Sequence, residues 1–303
     1  MPADPLLIAG LVAIAAIVVA SARAVRADAR GRWHRSAAPL ALLLLVVAWV
    51  SPLQTLASHY LLTAHLLQIT LVMGVVPPLL LLGLPSRGWS RVPRRLVTVA
   101  RPLVHPLSGI LAINLAFFGW HLTGAYEASL GSSVLYAAQQ LSLLAASLLF
   151  WWPIVVPMGD RRLLSRWATL AYIMVATIPQ TLGGITVALA KHPLYPSYAL
   201  APRIAGLQVL TDQQIAGACI ALVSKIALFV AFGVVFLRML NEPASDDGDD
   251  GGGGGRRRGT DTPSPQPSGS VPWLADINSG RTVPEPVPVR PLRVPAGAGP
   301  RRE

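Results

Sequence analysis

Along residues 1–240, long stretches free of Asp, Glu, Lys and Arg alternate with short arginine-rich links. Residues 6–22 form the first apolar stretch. The second, 36–86, is far longer than the about 20 residues that one membrane-spanning helix needs. It divides at Ser51-Pro52, because proline lacks the N–H that would continue a helix. Residues 102–126, 128–159 and 167–190 each hold one further span. The last span covers 211–237 and contains a single charge, Lys225. The pattern predicts an all-α polytopic membrane protein of seven transmembrane helices.

The periodicity stops near residue 240. After Asn241 the chain reads EPASDDGDDGGGGGRRRGTDTPSPQPSGS and later VPEPVPVRPLRVPAGAGP. A segment so rich in Gly, Pro, Ser and charge cannot bury a core. The expected organisation is therefore a seven-helix transmembrane domain, 1–240, and a disordered cytoplasmic Gly/Pro-rich tail, 241–303. The stretch PEPVPVRP has polyproline character and reads as a linker.

Composition agrees with a membrane protein: 53% of residues are hydrophobic and 13% charged, against about 25% charged in soluble domains. The net charge of +11 is not a nucleic-acid signature. Residues 1–240 carry 17 basic and 5 acidic side chains, and the tail carries 8 and 9, so the positive excess belongs to the apolar part. Thirteen basic residues lie on one set of links: Arg23, Arg26, Arg30, Arg32 and Arg35; Arg87, Arg91, Arg94, Arg95 and Arg101; Arg161, Arg162 and Arg166. The other links hold two, Lys191 and Arg203. By the positive-inside rule the N-terminus is outside and the C-terminus inside. The arginines follow the first apolar run and Asp4 precedes it, the reverse of a signal peptide, so this helix is expected to be retained. One cysteine excludes a disulfide framework and a thiolate-rich zinc or iron–sulfur site.

Polar side chains inside a bilayer are costly, so their depth is informative. With this topology, His59, His65 and Gln68 lie in the outer part of the third helix, and His65 and Gln68 share a face. His121 closes the fourth helix, Gln139 and Gln140 lie about two turns into the fifth, and Asp212, Gln213 and Gln214 open the seventh. Cys219 follows Asp212 by seven residues on one face. Four helices thus carry ligand-type or hydrogen-bonding side chains in the outer half. Interhelical hydrogen bonding is the commoner explanation for any one of them, and the two readings stand level for the set. His34 and His105 fall on the cytoplasmic side, Asn114 reads as packing glue, and Pro77-Pro78 and Gly183-Gly184 permit a kink and close packing.

At these residues the chain resembles the CtaG-type cytochrome c oxidase assembly proteins. YLLTAHLLQITLVMGVVPPLLLLGLP is similar to the family helix with H-M-x-x-H, a Pro-Pro-Leu-Leu run and Gly-x-Pro. WHLTGAYEASL is similar to H-x-P-x-x-Y, LLFWWPIVVP to the F-W-x-P helix end, and TDQQIAGACIAL to D-Q-Q-x-A-G. The likeness spans residues 49–237 in the same order. The resemblance implies a bacterial plasma-membrane protein that assists cytochrome c oxidase assembly. No acid–base pair or Ser/His/Asp set can be assembled from the residues, so no enzymatic activity is expected. The cofactor or cargo that the resemblance implies is copper at the outer face, and the implied partners are oxidase subunits or other copper-handling proteins. The chain departs from the family at Ile69 and Gln140, where histidines are usual, at Ile220 and Ala221 in the last helix, and at Thr123. It retains His65, His121, Tyr126, Asp212 and Gln213.

Copper(I) favours soft thiolate ligands and accepts imidazole in low-coordinate sites. The candidate metal set is His65, His121 and Cys219, with Gln68, Tyr126, Gln139, Gln140, Asp212 and Gln213 as the surrounding polar cluster. A lone buried cysteine also packs as a small hydrophobe. Lys225, midway along the seventh helix, is an intramembrane charge in the position of a retinal lysine. The first six helices hold no Asp or Glu to act as counterion, which argues against a retinal protein. A small-solute or ion transporter is the other class left open, with Pro179 and Gly183-Gly184 as its only helix-break signals.

Overall fold

The computed structural model describes residues 4–25, 32–83, 102–156, 164–204 and 206–240, and among them there are helices and connecting turns but no strand. The tail expected at 241–303 and most of the arginine-rich links lie outside the described residues.

Helix α1 (Pro5–Val25) is followed by α2 (Arg32–Trp49) and the short α3 (Pro52–His59). The expected division at Ser51-Pro52 is a 45° bend between α2 and α3. Ser51 caps the new helix by accepting from Leu53 N at 3.1 Å, and Pro52 sits at its first position. A second break, which the sequence reading did not place, falls at Tyr60-Leu61. Leu61 is extended (φ −133°, ψ 123°) and α4 (Leu62–Thr70) starts anew. The third span therefore begins at Leu62 rather than Pro52, and residues 52–59 extend the second.

Helix α4 continues through a π-helical turn, Leu71–Val75, into α5 (Val76–Gly83). The turn has a cause in Pro77, whose missing N–H cannot bond to the Met73 carbonyl. The indole of Trp151 donates to that carbonyl instead, at 3.1 Å.

The fourth expected span is also split. Helix α6 (Pro106–His121) stops at Leu122, which is extended (φ −61°, ψ 130°), and α7 (Thr123–Gly131) leaves at 73°. Tyr126 accordingly belongs to α7. Helix α8 (Ser133–Val155) and α9 (Arg166–Leu189) are continuous, followed by the short α10 (Pro196–Leu200). The last span is α11 (Val209–Ala221), a 3-10 turn at Val223–Lys225, and α12 (Ile226–Leu240).

Four of these helical runs are long and apolar enough to cross a membrane: Leu62–Gly83, Ser133–Val155, Arg166–Leu189 and Val209–Arg238. Counting each bent pair as one span makes six, and Pro5–Ala20 is a shorter apolar helix beside them.

The α4–α5 run is the central element because it is buried on two sides. Leu62, Leu66, Ile69 and Met73 pack with Tyr126, Phe150 and Ile220 in one core cluster. Val72, Val76 and Leu80 pack with Leu45, Trp49 and Tyr136 in the other. Lipid tails are as apolar as leucine, so close packing and hydrogen bonds hold such a bundle together. One close approach joins α9 and α11. A Cβ on Gly217 would sit 2.4 Å from Ala188 N and 2.6 Å from Gly184 O, so neither helix tolerates a larger residue there. The close-packing expectation for Gly184 is thereby met.

Candidate functional site

The two membrane histidines come together at the end of the bundle where α3 meets α4 and α6 meets α7. His65 lies one turn into α4 and is fully buried. His121 ends α6, and the two ring centroids are 5.9 Å apart. The α6–α7 bend folds Tyr126 back against both. Its ring lies edge-on to His65 at 4.9 Å and stacked with His121 at 5.8 Å. Phe117 covers the other face of His121, stacked at 4.3 Å.

The hydrogen bonds of the pair are unequal. His121 Nδ1 lies 2.7 Å from the Phe117 carbonyl. A carbonyl only accepts, so Nδ1 carries the proton and Nε2 keeps its lone pair. That Nε2 atom and both ring nitrogens of His65 are buried without a partner. Buried polar atoms are rarely left so. A backbone carbonyl on one imidazole nitrogen, with the other nitrogen free, is the arrangement that orients metal-binding histidines.

A lid of aromatic and loop residues closes this end. The Tyr126 and Tyr198 hydroxyls are 2.8 Å apart, and Tyr198 donates to the Ala57 carbonyl, so Tyr126 is the donor between them. Tyr195 donates to the His121 carbonyl at 3.0 Å. Burial and, secondarily, the Glu127 charge push the Tyr195 hydroxyl up to about 12, which keeps it a donor. Glu127 accepts from the backbone and hydroxyl of Ser197, tying α10 to α7. Tyr195, Tyr198 and Phe117 were not among the sequence candidates. The spacing of tyrosines in LYPSY was the available signal, but nothing local says which histidine a loop will cover.

The acidic and amide candidates have other partners. Leu61 supplies no side-chain cap for α4, and Asp212 does so from α11. It accepts from Leu62 N at 2.7 Å and Thr63 N at 3.0 Å, and Thr63 Oγ1 donates to its carbonyl. A carboxylate at a helix N-terminus also meets the positive end of the dipole. Asp212 thus fixes the turn that carries His65. Gln213 accepts from Leu194 N at 2.7 Å and donates to the His192 carbonyl at 3.2 Å, pinning the loop before α10.

Gln68 and Gln140 satisfy one another. Gln68 donates to the Ala48 carbonyl at 2.7 Å and accepts from Tyr136 and from Gln140. Gln140 in turn accepts from Trp49 Nε1 at 3.2 Å. This network joins α2, α4 and α8 and leaves no free ligand atom on Gln68. Gln139 is equally buried, yet neither of its amide atoms has a partner.

Cys219 does not complete a three-ligand site. Among the described residues no three His, Cys, Asp or Glu side chains are close enough to hold a metal. The buried face of α11 is centred on Gln213, Ala216, Gly217 and Ile220, and Cys219 lies half-buried on its flank. Lys225 is buried in the 3-10 turn and donates to Gln180 Oε1 at 3.2 Å. Gln180 also lines a cavity of about 30 Å3, bounded by Leu66, Phe117, Met73 and Ser224, which has room for about one water. Asn114 bonds to the Ala176 carbonyl at 3.3 Å, as packing glue should. His105 caps α6 by accepting from Leu107 N at 3.2 Å. The His34 side chain lies outside the described residues.

No curated protein and no solved structure matches the chain. A family model does match, that of the cytochrome c oxidase caa3 assembly factor, over residues 14–242. This region holds every element from α2 to α12 and both histidines of the pair, and the chain belongs to the cytochrome c oxidase caa3 assembly factor (Caa3_CtaG) family.

Proposed function

We propose that the protein is a non-catalytic assembly factor that handles copper(I) for a cytochrome c oxidase at the outer face of the bacterial plasma membrane. One observation carries the copper part of this reading: three imidazole nitrogens, on His65 and His121, are buried without hydrogen-bond partners. Metal–imidazole bonds are about 2 Å, so rings with centroids 5.9 Å apart are within reach of one ion. Low-coordinate copper(I) accepts two imidazoles, and it is the protein's cargo. The topology in this reading is seven spans, N-terminus out, with α1 as the first and each bent pair as one. The arginine-rich links then face the cytoplasm, and the histidine pair faces outward, where an oxidase copper centre would be loaded. Oxidase subunits or other copper carriers are the partners.

Two measurements test the proposal. The purified protein, titrated with copper(I) against a chromogenic chelator, should bind one equivalent. His65→Ala and His121→Ala should each weaken binding at least about tenfold, the cost that loss of even an outer-shell partner of a ligand carries, and Cys219→Ser should not. In the cell, deleting the gene should lower the copper content and activity of the oxidase. Unchanged oxidase in the deletion strain would refute the assembly role, and absent copper binding would refute the metal reading alone.

A further inference from the structure

The break at Val223–Lys225 has a counterpart across the bundle, the π turn at Leu71–Val75. The two discontinuities meet where Gly74 faces the Ser224 carbonyl oxygen, which a Cβ on Gly74 would approach to 3.6 Å. From there α12 packs on α9, while α5 packs on α2 and α8. The space left between them is a groove of about 880 Å3. Its walls are apolar, with Leu71 and Leu82 on one side, Ile154 on a second and Val230 on the third. Arg238 is the only charged side chain among its described lining residues, and it is exposed on the last turns of α12. Arg166 Nη1 donates to the Arg238 carbonyl at 3.1 Å, bringing a second guanidinium to the same end.

We propose that this groove seats one anionic phospholipid, with its acyl chains along the apolar walls and its phosphate on Arg238. The inference does not depend on copper. Every wall is drawn from a candidate membrane span, so the natural occupant is hydrocarbon. The groove runs from the two breaks to the ends of α5, α8 and α12. The sequence that follows α5 and α8 is arginine-rich, which the topology proposed above assigns to the cytoplasmic side. Basic pockets between transmembrane helices at that side recruit anionic headgroups. A zwitterionic lipid would fill the walls equally well but leave Arg238 with a weaker partner, so headgroup charge is the discriminating property.

The test uses the full-length chain in mild detergent, offered equal phosphatidylglycerol and phosphatidylcholine and examined by native mass spectrometry. Phosphatidylglycerol should be retained about fivefold over phosphatidylcholine, as one arginine near a headgroup provides. Arg238→Gln should bring that ratio close to one, and Ala231→Phe, which fills the groove, should reduce retention of both lipids. A photoreactive phosphatidylglycerol applied to the unaltered protein should cross-link to residues 71–82 and 223–238, a readout that needs no variant to fold. Equal retention of the two lipids by the unaltered chain, or cross-links elsewhere, would overturn the proposal. So would a co-purifying polypeptide that occupies the groove and is released by Ala231→Phe.

Discussion

His65 and Trp151 illustrate opposite ways in which a single polar side chain behaves inside a membrane protein. His65 is buried with both nitrogens idle, a state that is costly unless something else is to be bound. Trp151 has one task, to donate to the carbonyl that Pro77 leaves free. Trp151→Phe should therefore lower stability by about 1–3 kcal/mol, the cost of an unpaired buried acceptor, with copper(I) affinity unchanged. Denaturant unfolding in detergent would measure the first and chelator competition the second. Gln68 presents a related case. Gln68→Leu strands the Tyr136 hydroxyl and the Gln140 amide, and should destabilise by a similar amount of about 1–3 kcal/mol. Adding Tyr136→Phe should recover part of the loss, because one stranded donor is removed with its partner. The sequence marks these polar residues as lying within apolar helices. It did not say that Gln68 and Gln140 spend their atoms on each other while His65, three residues from Gln68, spends none.

At the level of helices, the breaks decide the geometry. Proline marks one of them visibly, at Ser51-Pro52. The breaks at Tyr60-Leu61 and Leu122 have no glycine or proline, and they are stabilised from afar: Asp212 caps α4 from a helix 150 residues later in the chain, and Tyr195 holds the end of α6. Asp212→Ala should destabilise by about 0.5–2 kcal/mol, the usual range for a lost cap, with Asp212→Asn retaining part of the stability. Because α4 carries His65, Asp212→Ala should also weaken copper(I) binding, whereas a purely global destabilisation would not at temperatures well below unfolding. The α9–α11 contact is held by shape alone. Gly217→Val should cost about 1–3 kcal/mol through overpacking, seen as a lower melting temperature, since the added carbons meet the α9 backbone.

For the whole molecule, the outward-facing orientation proposed for the histidine pair rests on charge asymmetry. A Cys219→Ser background allows single cysteines to be introduced without interference, as Cys219 is the only native one. Leu200→Cys, at an exposed position on α10, should react with a membrane-impermeant thiol reagent in intact cells. Arg161→Cys should react only after the membrane is opened. The reverse pattern would turn the bundle over and place the histidines on the cytoplasmic side.

Much of this was decided by the sequence alone. Charge-free runs and a thermodynamic intolerance of buried charge require membrane helices, and the histidines, glutamines and Asp212 announce themselves by being polar in apolar surroundings. Those are one-dimensional properties, legible because the penalty for each residue depends on depth and not on its neighbours. Pairing is different. Whether His65 meets His121 or Cys219, whether Asp212 binds an ion or caps a helix, and which tyrosines cover the site depend on the rotation of each helix and on bends stabilised by distant residues. Only the tertiary structure decides these, because a hydrogen bond made across 72 or 150 residues leaves no local signal at either end.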